Sequence, residues 1–314
     1  MLSKILPYIK IARPDHWFKN IFMLPGILLA LYFFSNLRSL FPWGAVILAF
    51  VSACLVASSN YVLNEILDRK MDAFHPDKRL RPIPSGQVKV GIAYAEWIFL
   101  GVLGIGTGLC INERFAFVAS LLWIAGTLYN IPPIRMKDHA YADVLSESLN
   151  NPIRFAMGWY AMGMLPLPPM SMLLAYWMFG AFLMAMKRYA EYRHIDCDDR
   201  AAKYRHSFAY YNEERLIESI FFYGAFFGIL SGFFLARYHV ELILATPIVA
   251  FAMAYYMHLG FKPNSPVQHP EGLYRSWKLV ALILLAFLSV VILMLTDLPA
   301  FENFIRATPL IQHP

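Results

Sequence analysis

Charge is scarce in this sequence. Asp, Glu, Lys and Arg make up 15% of its 314 residues, where a soluble domain carries about 25%. That deficit excludes an ordinary water-soluble domain, because the 59% of residues that are hydrophobic fall in runs instead of at helix or strand period. Cysteine is scarce too. Cys54, Cys110 and Cys197 lie in two apolar runs and one polar loop. No pair has zinc spacing, and an odd count gives no disulfide framework, so all three read as structural or incidental. The histidines are scattered without ligand spacing, and His75 reads as a loop residue, not a base. No low-complexity tract or long linker interrupts the chain. The opening MLSKILPYIKIARPDHWFKN has no apolar stretch ending in a small-residue cleavage site. It reads as an amphipathic segment lying on a membrane, not as a signal peptide.

What is abundant is apolar length. A bilayer core takes roughly 20 mostly apolar residues per helical crossing, and loops or open sheet edges cannot face lipid. The expected fold is therefore all-α: a polytopic membrane protein forming one domain over residues 1–314, with about nine transmembrane helices. The candidate segments run near 17–35, 41–64, 90–111, 114–130, 143–164, 171–190, 214–236, 240–260 and 276–296. With nine crossings, 22 of the 27 Lys and Arg residues fall on the side that holds the N-terminus. Only Arg38, Arg114, Arg237 and Arg306 fall opposite, and Arg154 lies within a helix. That asymmetry places the N-terminus and the loops after the even-numbered helices in the cytoplasm, at a cell inner membrane. The net charge of +6 punctuates the apolar runs, a pattern suited to anionic lipid or substrate and not to nucleic acid.

The stretch NYVLNEILDRKMDAFHPDKRLRPIPSG, residues 60–86, carries the chemistry. Asn64, Asp68 and Asp72 recur every four residues and form one stripe on a helix, with Glu65 beside it. Oxygen ligands on a polar helix end suit Mg²⁺, which prefers carboxylates completed by water and phosphate. Asp77, Lys78, Arg79 and Arg81 follow at once, and Pro82, Pro84 and Gly86 then stop the helix. Carboxylates beside a basic hook are what a metal-bridged diphosphate requires. A merely solvated helix end accounts for the cations but not for acids at four-residue spacing, since acids contribute little to membrane orientation.

These residues resemble the first signature of the UbiA superfamily of intramembrane prenyltransferases, N-D-x-x-D-x-x-x-D followed by K-x-x-R-P. Here it stands as Asn64-Glu65-x-x-Asp68-x-x-x-Asp72 with Lys78, Arg81 and Pro82, Glu65 replacing the usual Asp. The resemblance implies nine helices around a central cavity that opens sideways to lipid, a cytoplasmic cap and two Mg²⁺ ions. It also implies a second signature after the fourth helix, which Tyr129, Lys137 and Asp143 match, with Arg135 and Asp138 nearby. Asp143 would hold the other metal or orient the leaving diphosphate. No D-x-x-x-D stands in this second block. Glu147, Asn150, Asn151 and Arg154 extend a polar stripe that suits a cavity wall.

Three further patches resemble the polyprenyl-phosphate phosphoribosyltransferases of that superfamily. They are Arg13-Pro14-x-x-Trp17-x-Lys19-Asn20, the run from His75 to Ile83, and Met186-Lys187-Arg188-Tyr189-Ala190-Glu191. The first reads equally as an interfacial anchor, and the third also as snorkelling cations. Residues 204–214 are expected in the cap. The resemblance implies transfer of 5-phosphoribose from phosphoribosyl diphosphate to a polyprenyl phosphate. Asp68, Asp72, Lys137 and Asp143 would then be catalytic, and Lys19, Lys78, Arg81, Tyr129, Arg154, Lys187, Arg188 and Glu191 would bind substrate. Two alternatives stay open: attachment of a prenyl diphosphate chain to a small acceptor, and transport of an anionic solute.

Overall fold

The computed structural model describes residues 2–73, 78–195, 206–268 and 270–305. His75 and Asp77, Cys197, Arg200, Lys203, Tyr204, Arg205 and Arg306 therefore lie outside the described residues. Every regular element among those described is helical. The chain divides into two compact units.

The first unit runs to Pro168 and takes in the segment that ends at Tyr211. It contains α1 (Leu2–Ile11), α2 (Leu24–Phe33), α3 (Asn36–Ser39), α4 (Trp43–Asp72), α5 (Val90–Leu109), α6 (Glu113–Asn130), α7 (Ala142–Ser148) and α8 (Asn150–Ala161). Helix α4 is the spine and packs against α5, α6 and α8. Because lipid supplies no hydrophobic force between helices, close approach and polar contacts hold them. Ser52 donates to the Gly104 carbonyl at 2.6 Å and Ser59 to the Trp97 carbonyl at 2.7 Å, while Asn60 donates to the Leu122 carbonyl at 2.9 Å. Helices α2 and α8 meet through a reciprocal glycine pair. A Cβ on Gly26 would lie 2.0 Å from the Phe155 carbonyl oxygen, and one on Gly158 would lie 2.0 Å from that of Met23. Only glycine allows backbones to come so near.

The second unit runs from Pro169 and resumes at Asn212. It contains α9 (Met170–His194), α10 (Glu213–Tyr238), α11 (Thr246–Gly260), α12 (Trp277–Leu295) and α13 (Pro299–Ile305). Helices α9 and α10 pack along their length, and α11 packs on α12. The Asn212 side chain accepts the Arg215 N–H at 2.8 Å and so caps the first turn of α10.

Six helices among the described residues are long and apolar enough to cross a membrane: α4, α5, α9, α10, Val240–Gly260 and α12. Each corresponds to one of the nine expected segments. Of the other three segments, 114–130 forms the expected helix, α6, and two fold differently. Residues 17–35 form a 3₁₀ stretch over Pro14–Met23 followed by the ten-residue α2. Pro25 sits in the first turn of α2, where its missing N–H costs nothing. Segment 143–164 divides at Leu149 into α7 and α8, because Pro152 cannot donate to the Ser148 carbonyl one turn back. Helix α6 carries Glu113, Arg114 and Asn130 within its 18 residues, which lowers its apolar character.

Candidate active site

The C-terminal end of α4 carries the site of the first unit. Asn64, Asp68 and Asp72 lie on its last three turns, and the helix continues through the stripe to Asp72. The loop between α6 and α7 returns across this end. There Arg135 adopts a left-handed conformation (φ 29°) just before the 3₁₀ turn Met136–Asp138. That backbone turn sends two cations at one carboxylate.

Lys137 is the hub. Only 8% exposed, its Nζ donates to Asp68 Oδ1 at 2.6 Å, to Asn130 Oδ1 at 2.8 Å and to Asn64 Oδ1 at 3.0 Å. An ammonium has three hydrogens, so these acceptors fill them. Arg135 donates to the same Asp68 oxygen at 2.8 Å and pairs through Nε with Asp138 at 2.8 Å. One turn further along α4, Asp72 accepts from Arg81 at 2.6 Å. Charge-assisted pairs at this separation are short and strong, and here each acid on the stripe is paired with a cation from a different loop.

Glu65 turns away from the stripe. It is buried, and its Oε1 accepts the Ile83 N–H at 3.0 Å. Through that bond it fastens the loop that presents Arg81. Lys78 stands in the short 3₁₀ turn Lys78–Leu80 on the same loop. Tyr129 donates to Glu147 Oε2 at 3.1 Å, and Lys137 Nζ lies 5.9 Å from the centre of the Tyr129 ring. Asp143 is wholly buried on α7, where it accepts hydrogen bonds from Tyr211 at 2.8 Å and Ser207 at 3.2 Å.

A second polar group lies where α8 meets the segment before α2. Arg154, 7% exposed, donates through Nε to Asn20 Oδ1 at 2.9 Å. Asn20 in turn donates to Cys54 Sγ at 3.2 Å, and Trp17 donates to Ser58 at 2.9 Å. Lys19 Nζ and the Arg13 guanidinium lie 5.9 and 5.8 Å from the centre of the Tyr61 ring. The segment Arg13–Asn20 is thus bonded to α4 and α8. In the second unit, Arg188 is 1% exposed and pairs with Glu191 at 2.9 Å, while Lys187 stands 3.8 Å from the same acid.

Sequence spacing points to Asn64, Asp68 and Asp72 and the family resemblance to Lys137, and the fold sets Lys137 against Asn64 and Asp68. It did not show Asn130 as the third acceptor of Lys137, nor Asn20 as the partner of Arg154. Neither has a spacing signal. Tyr211 was visible only as part of an aromatic, polar run.

The carboxylate stripe interlocked with cations stands at the end of one of six long apolar helices among the described residues, the build of an integral membrane protein. The chain belongs to the UbiA prenyltransferase family, which it matches over residues 23–271. It is similar to the decaprenyl-phosphate phosphoribosyltransferase of Mycobacterium tuberculosis, 30% identical over 184 residues. It is 33% identical over 185 residues to the enzyme of that name from Corynebacterium glutamicum. Those matches cover 58% of this chain and 59% and 54% of the two relatives, so the chain spans little more than half the length of the curated relatives it matches. Its fold is like that of a UbiA homolog from Archaeoglobus fulgidus solved with GPP and Mg²⁺. The TM-score is 0.67 at 20% identity, covering 90% of this chain and 99% of that one.

Proposed function

We propose that residues 1–314 form one Mg²⁺-dependent intramembrane transferase that moves 5-phosphoribose from phosphoribosyl diphosphate to a polyprenyl phosphate. In this reading the chain crosses the inner membrane nine times, with its N-terminus and site loops cytoplasmic. The observation that carries it is the shared contact of Lys137 and Arg135 with Asp68, on a stripe that Asp72 and Arg81 continue.

Among the described residues no three His, Cys, Asp or Glu side chains converge. A cage of that kind is not what Mg²⁺ needs. It keeps several waters and takes one or two carboxylates plus substrate phosphates, and the hard oxygens of Asn64, Asp68 and Asp72 fit that demand. Bound there, Mg²⁺ would offset the charge that develops on the departing diphosphate.

The side chains of this chain do the rest. Arg135, Arg81 and Lys78 supply donors for phosphate oxygens, and Lys137 does so on exchanging one of its three present acceptors. Arg154, with Asn20 and Lys19, offers a cationic wall deep enough for a sugar phosphate, where a prenyl tail would call for an apolar one. Lys187, Arg188, Glu191 and Tyr129 have the chemistry of further substrate contacts. The bond from the anomeric carbon to diphosphate breaks as an oxygen of the lipid phosphate bonds to that carbon. A phosphate monoester is already anionic at neutral pH, so no strong base is required.

Prenyl transfer from a polyprenyl diphosphate to a small acceptor stands as the second reading, favoured by the description of the family. Family membership argues against the transporter reading. The test is Mg²⁺-dependent pyrophosphate release by purified protein in lipid. One arm receives phosphoribosyl diphosphate with polyprenyl phosphate, the other a polyprenyl diphosphate with a phenolic acid. Lipid-dependent release in the first arm supports the proposal. Release only in the second replaces it with prenyl transfer.

A further inference from the structure

Asp143 stands in different company from the other acids. Its carboxylate is 0% exposed, with Oδ1 2.8 Å from the Tyr211 hydroxyl and Oδ2 3.2 Å from that of Ser207. Both oxygens accept from hydroxyl groups of one short segment, residues 206–211. A buried carboxylate is costly unless hydrogen-bonded, so the two hydroxyls stabilise it and it fixes them in return.

The contact extends past the acid. The Tyr211 oxygen also accepts the N–H of Tyr141 at 2.5 Å. Tyr141 holds a positive φ of 63°, a conformation that a residue with a Cβ rarely adopts unless its surroundings impose it. Its ring packs edge-on against Tyr211 at 5.4 Å and against Tyr210 at 5.9 Å. The 3₁₀ turn His206–Ala209 packs directly on the turn Met136–Asp138, which carries Lys137. A continuous path therefore runs from Asp143 through Ser207 and Tyr211 to the backbone that aims Lys137 and Arg135 at Asp68.

We propose that Asp143 is a positioning residue: it fastens segment 206–211, and that segment braces the turn that presents Lys137 and Arg135. This differs from the expectation that Asp143 holds a second metal. Both of its oxygens accept from hydroxyls of segment 206–211, a segment that packs on the turn bearing Lys137. The activity part of the test rests on the proposed transferase reading, but the brace itself does not.

The experiment compares Tyr211→Phe, Asp143→Asn, Asp143→Ala and the double variant Asp143→Ala/Tyr211→Phe with the wild type in lipid nanodiscs. Hydrogen–deuterium exchange without substrate reads the brace. Faster amide exchange over residues 136–141 and 206–211 in Tyr211→Phe and in Asp143→Ala is expected. Turnover reads the consequence. Tyr211→Phe loses the bonds to Asp143 and from the Tyr141 N–H, and Asp143→Ala loses those from Tyr211 and Ser207, so each should lower kcat about 100-fold, taking each bond at roughly a factor of ten. Asp143→Asn keeps one acceptor oxygen and should lose only about tenfold. The double variant should be no worse than Asp143→Ala, since both act through one path. The Mg²⁺ concentration for half-maximal rate should be unchanged throughout. A raised Mg²⁺ requirement in Asp143→Asn with wild-type rates in Tyr211→Phe would overturn the proposal and return Asp143 to the metal. So would unaltered exchange over residues 136–141 in folded Tyr211→Phe. Should the wild type release no pyrophosphate from either donor, the transferase reading fails while the exchange result still decides the brace.

Discussion

Replacing Lys137 with alanine strikes the group that three elements share. Its Nζ lies between Asp68 and Asn64 on α4 and Asn130 on α6. The two amides can turn to water or to each other once the ammonium is gone. Asp68 cannot, and keeps only Arg135 of its two cations. The loss therefore centres on one charge-assisted contact, worth about 1.5–3 kcal/mol net, or about a ten- to hundredfold loss in kcat/KM. Because the ammonium is proposed to meet phosphate oxygens of the bound donor, the loss should fall mainly on KM. The assay is initial-rate pyrophosphate release at saturating Mg²⁺ across a range of phosphoribosyl diphosphate concentrations. Lys137→Arg supplies the control. A planar fork cannot place one nitrogen among three converging acceptors, so arginine should restore only part of the activity. A Lys137→Ala enzyme with unchanged KM would remove Lys137 from the substrate site.

Asp68→Asn and Asp72→Asn should each abolish turnover while the protein stays monodisperse with a near-normal melting temperature; full activity in either would refute the metal assignment. Arg81→Ala leaves Asp72 without its 2.6 Å partner and should raise KM about tenfold, the lower range of a charge-assisted bond, as read by the same kinetics. Gly26→Ala puts a methyl group 2.0 Å from the Phe155 oxygen and should cost about 1–3 kcal/mol through forced repacking. Thermal melting should register that loss, while Gly44→Ala, with open space at its Cβ, should melt like the wild type.

Apolar length made most of the helices legible. Segments 90–111, 171–190, 214–236 and 276–296 correspond to α5, α9, α10 and α12, with ends shifted by a few residues. The reading of α4 stopped at 64 because polarity begins there, yet the backbone stays helical to Asp72. Hydropathy reports where lipid ends, not where a helix ends. The breaks before α2 and between α7 and α8 turn on Pro25 and Pro152, whose effect an apolar window averages away. Four-residue spacing revealed Asn64, Asp68 and Asp72. Glu65 follows Asn64 by one residue, about 100° round the helix, and so points at Ile83 instead. What spacing could not supply was pairing across the fold. Lys137 reaches Asp68 from a loop in which Arg135 takes a positive φ.

The extra length of α4 bears on the chemistry. Thirty residues at 1.5 Å each make a helix of about 45 Å, while a hydrocarbon core is about 30 Å thick. Trp43, exposed at the first turn, has the character of an interfacial anchor. Were the helix to stand near the membrane normal, about 20 residues counted from Trp43 would reach the level of residue 62 or 63, just before Asn64. The stretch 64–72 would then stand beyond the hydrocarbon, where ionised Asp68 and Asp72 cost far less than at midplane. The phosphate of a polyprenyl phosphate must lie at that same level, because its chain prefers hydrocarbon and its head prefers water. In the proposed reaction, a water-soluble donor and a lipid acceptor from the bilayer would meet there without either leaving its own medium. On the proposed reading, the length of one helix sets the plane of reaction, and the loops bearing Arg81 and Lys137 furnish it with cations.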